Sequence, residues 1–248
     1  MTFGAEYRNR DGERTIQNTG PQDSQLRWSA EDKAYEIMVP EHGEGTLELT
    51  FPGDNPHAFH AIDGDGSKLP LSFSVYPSNI YGEKFEYSGV VFYQTHPEGA
   101  TDGFIHGVFA FAVPTAAGDV PTSGGAIYNG ELHGFASNGY DVVGDVQMAF
   151  DFAAGVLSGH MLPKLYSDWD GVDRPLGTYT FRDTVFSAGS TTFSGAFVTP
   201  NAAGESGFSG RFAGPGAAEV IANWHAPFTD TVDGSSGTIR GFWAAKGP

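Results

Sequence analysis

Gly207-Phe208-Ser209-Gly210-Arg211-Phe212-Ala213-Gly214-Pro215-Gly216-Ala217-Ala218-Glu219-Val220 is the stretch whose pattern decides the fold. Phe208 and Phe212 are four residues apart, so in an extended chain they point to the same side. Gly210 lies between them and leaves a gap that a neighbouring aromatic can cover. The unit recurs upstream as Phe193-Ser194-Gly195-Ala196-Phe197, with a looser echo in Arg240-Gly241-Phe242-Trp243. Gly214-Pro215-Gly216 punctuates the run as a turn.

Around this stretch the chain reads as eight short strands, at 123–136, 139–153, 155–162, 176–183, 190–199, 205–213, 217–226 and 237–246. Most connections are short and turn-like, as in Ser137-Asn138-Gly139 and Asp233-Gly234-Ser235-Ser236-Gly237. Short connections demand antiparallel neighbours, because parallel pairs need long crossovers. Eight such strands can close into a barrel and leave no exposed edge. Phe135, Phe150, Phe152, Phe181, Phe197, Phe212 and Trp243 are expected to fill its interior.

Upstream, Val113 to Thr122 carries two prolines among small residues and reads as a linker. Before it, strand patterns run over 36–39, 46–51, 71–76, 85–94 and 103–113, with a polar loop from Pro52 to Pro70. No window of 12 residues has helical periodicity. The expected fold is therefore all-β: a small N-terminal β-sheet subdomain over 1–118 and an eight-stranded antiparallel barrel over 119–248.

Composition narrows the function. The 248 residues are 40% hydrophobic and 14% aromatic, which suits a packed core. The net charge is −17. Residues 1–118 hold 7 basic against 17 acidic side chains, and 119–248 hold 6 against 13. Neither half offers a basic patch, so nucleic acid and anionic lipid are poor partners. With no cysteine, disulfides, thiolate nucleophiles and Cys-ligated zinc are excluded too. No run approaches the roughly 20 apolar residues of a membrane-spanning helix. The opening Met1-Thr2-Phe3-Gly4-Ala5-Glu6 lacks the basic-then-apolar pattern of a signal peptide. Either the protein is not exported, or a leader with its lipidated cysteine is missing from this sequence.

The 207–220 stretch resembles the closing barrel motif of the transferrin-binding protein B family, in which a Gly-x-Phe-x-Gly-Pro-x-(Ala)-x-Glu turn precedes a strand and a last Gly-x-Phe-x-Ala-Lys strand. Here that last strand reads Ile239-Arg240-Gly241-Phe242-Trp243-Ala244-Ala245-Lys246. Val113-Pro114-Thr115 through Pro121 to Gly130 resembles the segment that leads into such a barrel. The resemblance covers 113–248 and weakens over 1–112. It departs at Val220-Ile221-Ala222-Asn223-Trp224-His225, bulkier than the family's glycine-containing return.

The chain's length matches one handle-like sheet plus one barrel, as in single-lobe haemophore-like, factor H-binding-type and solute-binding relatives, and makes transferrin itself a poor choice of ligand. The resemblance implies a non-enzymatic binding protein, extracellular or on the outer-membrane surface, with the periplasm as the other compartment. It would be lipid-anchored in its full-length form. It would capture haem, another iron source, or a host or environmental protein, and pass the ligand to an outer-membrane transporter. A carrier of a small apolar molecule and an adhesion or matrix module are the alternatives.

The residues themselves mark no catalytic centre: there is no Gly-x-Ser-x-Gly elbow, and Ser194 and Ser209 sit within strand repeats. Asp63-Gly64-Asp65-Gly66 and Asp168-Trp169-Asp170-Gly171-Val172-Asp173 lack the terminal Glu of a calcium loop and read as solvated turns. Haem needs an axial His or Tyr in an apolar slot. The candidates are His57, His60, Tyr76, Tyr81, His96 and His106, with Phe59, Phe73, Phe92 and Phe104 as lining. The competing reading makes these aromatics the core of the N-terminal sheet.

Overall fold

In a computed structural model, alternation of aromatic and small residues sets the strands. The structure describes residues 2–10, 13–19, 26–29, 34–38, 46–50, 60–62, 68–69, 71–76, 85–95 and 104–248. The strands before the barrel are β1 (Thr2–Arg10), β2 (Glu13–Thr19), β3 (Leu26–Ser29), β4 (Ala34–Met38), β5 (Thr46–Thr50), β6 (His60–Ile62), β7 (Lys68–Leu69), β8 (Leu71–Tyr76), β9 (Ser88–Thr95) and β10 (Phe104–Ala112). They form two five-stranded sheets, ordered β2-β1-β10-β9-β8 and β3-β4-β5-β6-β7.

The second half supplies β11 (Gly125–Ala136), β12 (Asp141–Asp151), β13 (Val156–Ser167), β14 (Val172–Pro175), β15 (Tyr179–Val185), β16 (Thr192–Val198), β17 (Gly207–Ala213), β18 (Glu219–Thr229) and β19 (Ser236–Lys246). The order β12-β11-β19-β18-β17-β16-β15-β13 closes on itself through β12–β13. Every pairing is antiparallel. This is the eight-stranded barrel expected from the sequence. One extra strand, β14, hangs on β13, because Gly171 at φ +66° lets the chain double back at once. Among the described residues no helix is long and apolar enough to cross a membrane.

The repeated Phe-Ser-Gly-x-Phe units are cross-strand partners. Phe193 pairs with Gly210, and Gly195 with Phe208. A Cβ on Gly210 would lie 2.4 Å from the Phe193 ring, and one on Gly195 2.5 Å from the Phe208 ring. Each glycine is thus the seat of the other strand's aromatic, which fixes the register. Inside the barrel Phe150, Phe181, Phe197, Phe208, Phe212 and Trp243 pack ring to ring, with centroids from 4.6 Å apart. Phe135 does not join them. It points outward, against Tyr7 at 6.1 Å, and belongs to a second apolar cluster.

That second cluster lies between the first sheet and the barrel's outer wall. It joins Ala5, Tyr7, Val90, Val108 and Ala110 to Phe135, Ile221, Phe242 and Ala244. Its footprint shows in the burial of the barrel strands. β12 alternates buried and open positions, as a strand with one wet face should. By contrast residues 131–136, 219–224 and 241–245 are buried on both faces. The bulky departure at Val220 to Trp224 is explained by this: Val220 and Trp224 face the barrel interior, while Ile221 and Asn223 face the covering sheet.

Candidate functional site

The seam between sheet and barrel is built on the turn that follows β17. Gly214, at φ +72°, brings its backbone against the Tyr87 ring, where a Cβ would lie 2.4 Å from the nearest ring atom. The turn then delivers Glu219, which is fully buried. Its carboxylate accepts hydrogen bonds from the backbone N–H of Glu86 (2.6 Å), the backbone N–H of Tyr87 (3.2 Å) and the Ser88 hydroxyl (2.6 Å). A carboxylate buried this deeply is tolerable only because donors converge on it. Val113 to Thr115, expected as a linker, is stitched into the same joint. Val113 N–H donates to Tyr87 O, Gly214 N–H to Val113 O, Thr115 N–H to Phe212 O, and the Thr115 hydroxyl to Gly214 O.

Further along the seam, Glu131, His133 and Asn223 are buried on the barrel's outer wall. His133 Nε2 lies 3.6 Å from Glu131 Oε2. Its ring stands edge-on to Phe92 (5.5 Å) and stacks on Phe242 (5.7 Å). Among the described residues, neither Glu131 carboxylate oxygen receives a hydrogen bond. Glu131 and His133 point outward along β11 and Asn223 outward along β18, where the covering sheet removes them from water.

The residues proposed from the sequence fall as follows. His106 lies on β10, opposite Tyr7 of β1. It is half-buried and on the barrel-facing side with Val108 and Ala110. Tyr76 ends β8, opposite Val90. His60 opens β6 in the other sheet, opposite Glu48. His57, Tyr81 and His96 lie outside the described residues, as does the Asp63–Gly66 turn. The structure therefore puts Tyr76 and His106 in one sheet and His60 in another. Among the described residues no group of three or more His, Asp or Glu could hold a metal ion.

Two open grooves mark the barrel's outer wall. The larger, about 650 Å³, is lined by Asn201, Glu205, His225, Thr229, Thr238 and Arg240 among others. Burial, reinforced by the nearby Arg240 charge, pushes the His225 imidazole below its ordinary range. The smaller, about 320 Å³, lies over β16 and β17 between Phe186, Ser190, Ser194 and Arg211. Inside the barrel the aromatic rings pack against one another.

No family model matches the chain, and no curated protein matches it by sequence. Among solved structures it is similar to the vaccine antigen Transferrin Binding Protein B (TbpB) of Haemophilus parasuis Hp5, in a double-mutant form. The identity is 19% and the TM-score 0.50, with 100% of this chain aligned on 45% of that one. It is likewise similar to intact Ap-TbpB with its N and C lobes, at 18% identity and a TM-score of 0.50, with 99% of this chain on 46% of that one. The chain thus spans less than half the length of the structures it matches. At these identities the likeness is one of fold, and the fold is that of a single transferrin-binding protein B lobe.

Proposed function

We propose that this chain is a non-enzymatic binding protein of a Gram-negative bacterium, displayed on the outer-membrane surface or secreted, that captures haem, another iron source or an iron-carrying protein for an outer-membrane transporter. The observation that carries the reading is the whole-chain likeness to one transferrin-binding protein B lobe. In this reading the 119–248 barrel is scaffold, because aromatic rings fill its interior. The 1–118 unit, seated on the barrel through Glu219, carries the ligand contacts. His57, His60, Tyr76, Tyr81, His96 and His106 are the proposed contacts. A small apolar ligand would have to sit outside the barrel for the same packing reason.

The test is direct. Haemin is titrated into the purified protein while the Soret band is followed, and iron-loaded and iron-free transferrin are passed over the immobilised protein. A saturable Soret shift that one of the six His or Tyr substitutions abolishes supports haem capture. Transferrin binding supports capture of a carrier protein. Absence of both at micromolar concentrations refutes the iron-capture reading.

A further inference from the structure

At the barrel end opposite the Glu219 turn, β13 and β14 form a hairpin with Trp169 at its tip. Trp169 is 99% exposed, whereas Trp224 and Trp243 are wholly buried. Tryptophan is highly buried on average, so an indole left wholly in water sets this tip apart from the rest of the barrel surface.

The tip is braced. The Tyr166 hydroxyl donates to Asp168, and the Tyr140 hydroxyl donates to Asp170 at 3.3 Å. Lys164 pairs with Asp173 at 2.9 Å. One nitrogen of Arg174 reaches both Asp230 and Asp233 at 2.7 Å, tying the hairpin to the β18–β19 loop. That loop exposes Val232 at 70%. The geometry presents an aromatic anchor and, on the loop that Arg174 ties to it, an exposed valine, on a braced backbone that has little freedom to lose on docking.

We propose that the Trp169 hairpin and the Val232 loop form a docking surface for a protein partner that carries a lysine- and arginine-rich rim around an apolar pocket. Charge complementarity selects this occupant. The exposed carboxylates Asp168, Asp170, Asp173 and Asp233 outnumber the two cations, Lys164 and Arg174, so the rim is net negative, while Asp230 lies buried beneath Arg174. Hydrogen bonds, that from Ser167 foremost, hold the Asp170 carboxyl below its ordinary range and keep that charge in place. The same carboxylates repel an anionic membrane. Aromatic anchors of this kind dominate protein interfaces. The residues named in this surface are distinct from the six proposed ligand contacts, so the proposal stands whether or not the 1–118 unit binds iron.

The first measurement is tryptophan quenching by caesium and by iodide in the intact protein. Caesium should quench the Trp169 component more strongly than iodide does, and Trp169→Phe should remove that component. Iodide quenching as strong as caesium quenching would overturn the charge argument. The second places a photo-crosslinking residue at 169, or at exposed Val198 as control, in cells that make the protein.

Crosslinks specific to position 169 should lead to a protein that, once purified, binds the parent chain. That binding should weaken by at least about thirtyfold in Trp169→Ala, the scale of an interface hot spot. It should also weaken as salt rises. Crosslinks to lipid or glycan, no crosslink, or equal affinity for Trp169→Ala would each overturn the proposal. Haemin and transferrin binding measured on Trp169→Ala separates this outcome from failure of the iron-capture reading.

Discussion

Replacing Glu219 should loosen the N-terminal sheet from the barrel more than any surface substitution. Three hydrogen bonds end on its carboxylate, at 2.6, 3.2 and 2.6 Å. Bonds to a charged acceptor contribute about 1.5–3 kcal/mol each. Against this gain of at most about 9 kcal/mol stands the several kcal/mol that a carboxylate loses on leaving water. Glu219→Ala also orphans donors, but those of Glu86, an exposed residue, and half-buried Tyr87 can find water. The net loss expected is about 3 kcal/mol. For a chain of this length that lowers Tm by about 6–12 °C. Glu219→Gln keeps the shape but turns an NH2 group toward one donor, and should lose about half as much. Urea unfolding gives the free energy, and amide exchange at Glu86 and Tyr87 shows whether the joint opens locally. Coupling to Ser88→Ala in a double-mutant cycle isolates the 2.6 Å bond. If Glu219→Ala unfolds within about 1 kcal/mol of the parent, with unchanged exchange at those amides, the carboxylate is not what seats the sheet.

Gly210→Ala puts a methyl 2.4 Å from the Phe193 ring and 2.6 Å from the Ala222 Cβ, and should cost about 1–3 kcal/mol by urea titration; shortening Phe193 to Leu in the same chain should recover part of it. Burial raises the Tyr128 and Tyr179 hydroxyls above their ordinary value, so the stability their neutral forms give is whole below about pH 10 and is lost as pH climbs further. Circular dichroism should show alkaline unfolding that shifts to higher pH in Tyr128→Phe/Tyr179→Phe. The Asp233 carboxyl is pushed down to about 2, first by hydrogen bonds from Ser235 and then by Arg174. Its contribution is therefore present above about pH 4 and lost as pH falls toward 2. In Arg174→Gln, carboxyl NMR should show Asp233 titrating at higher pH; an unmoved titration would remove Arg174 from that loop's electrostatics.

The barrel was legible because each of its devices is local. Period-two burial along β12, turn glycines, and the reciprocal fit of Phe193 on Gly210 and Phe208 on Gly195 all leave marks within a few residues. The Glu of the 207–220 motif was visible as a motif residue, but its task was not. Its three donors lie more than 130 positions upstream, and no spacing rule connects them. Glu131 and His133 owe their burial to an equally distant contact. Alternation places them on the outer face correctly, yet what covers that face is a sheet from the other end of the chain. One signal was present and passed over. Phe3, Ala5 and Tyr7 alternate with Gly4, Glu6 and Arg8, the pattern of a half-buried strand, and β1 pairs with β10 across some hundred residues.

Trp169 shows the opposite limit. An aromatic within Asp-Trp-Asp-Gly is as consistent with a turn folded back onto the core as with one held out in water. Only the bracing by Tyr140, Tyr166 and Arg174, side chains from three separate segments, decides it. Local pattern thus specifies the scaffold, while the covered seam and the braced tip depend on contacts between segments far apart in the chain. Substitutions that respect strand periodicity should therefore spare the barrel and still loosen the sheet when they fall at the seam, or weaken docking when they fall at the tip.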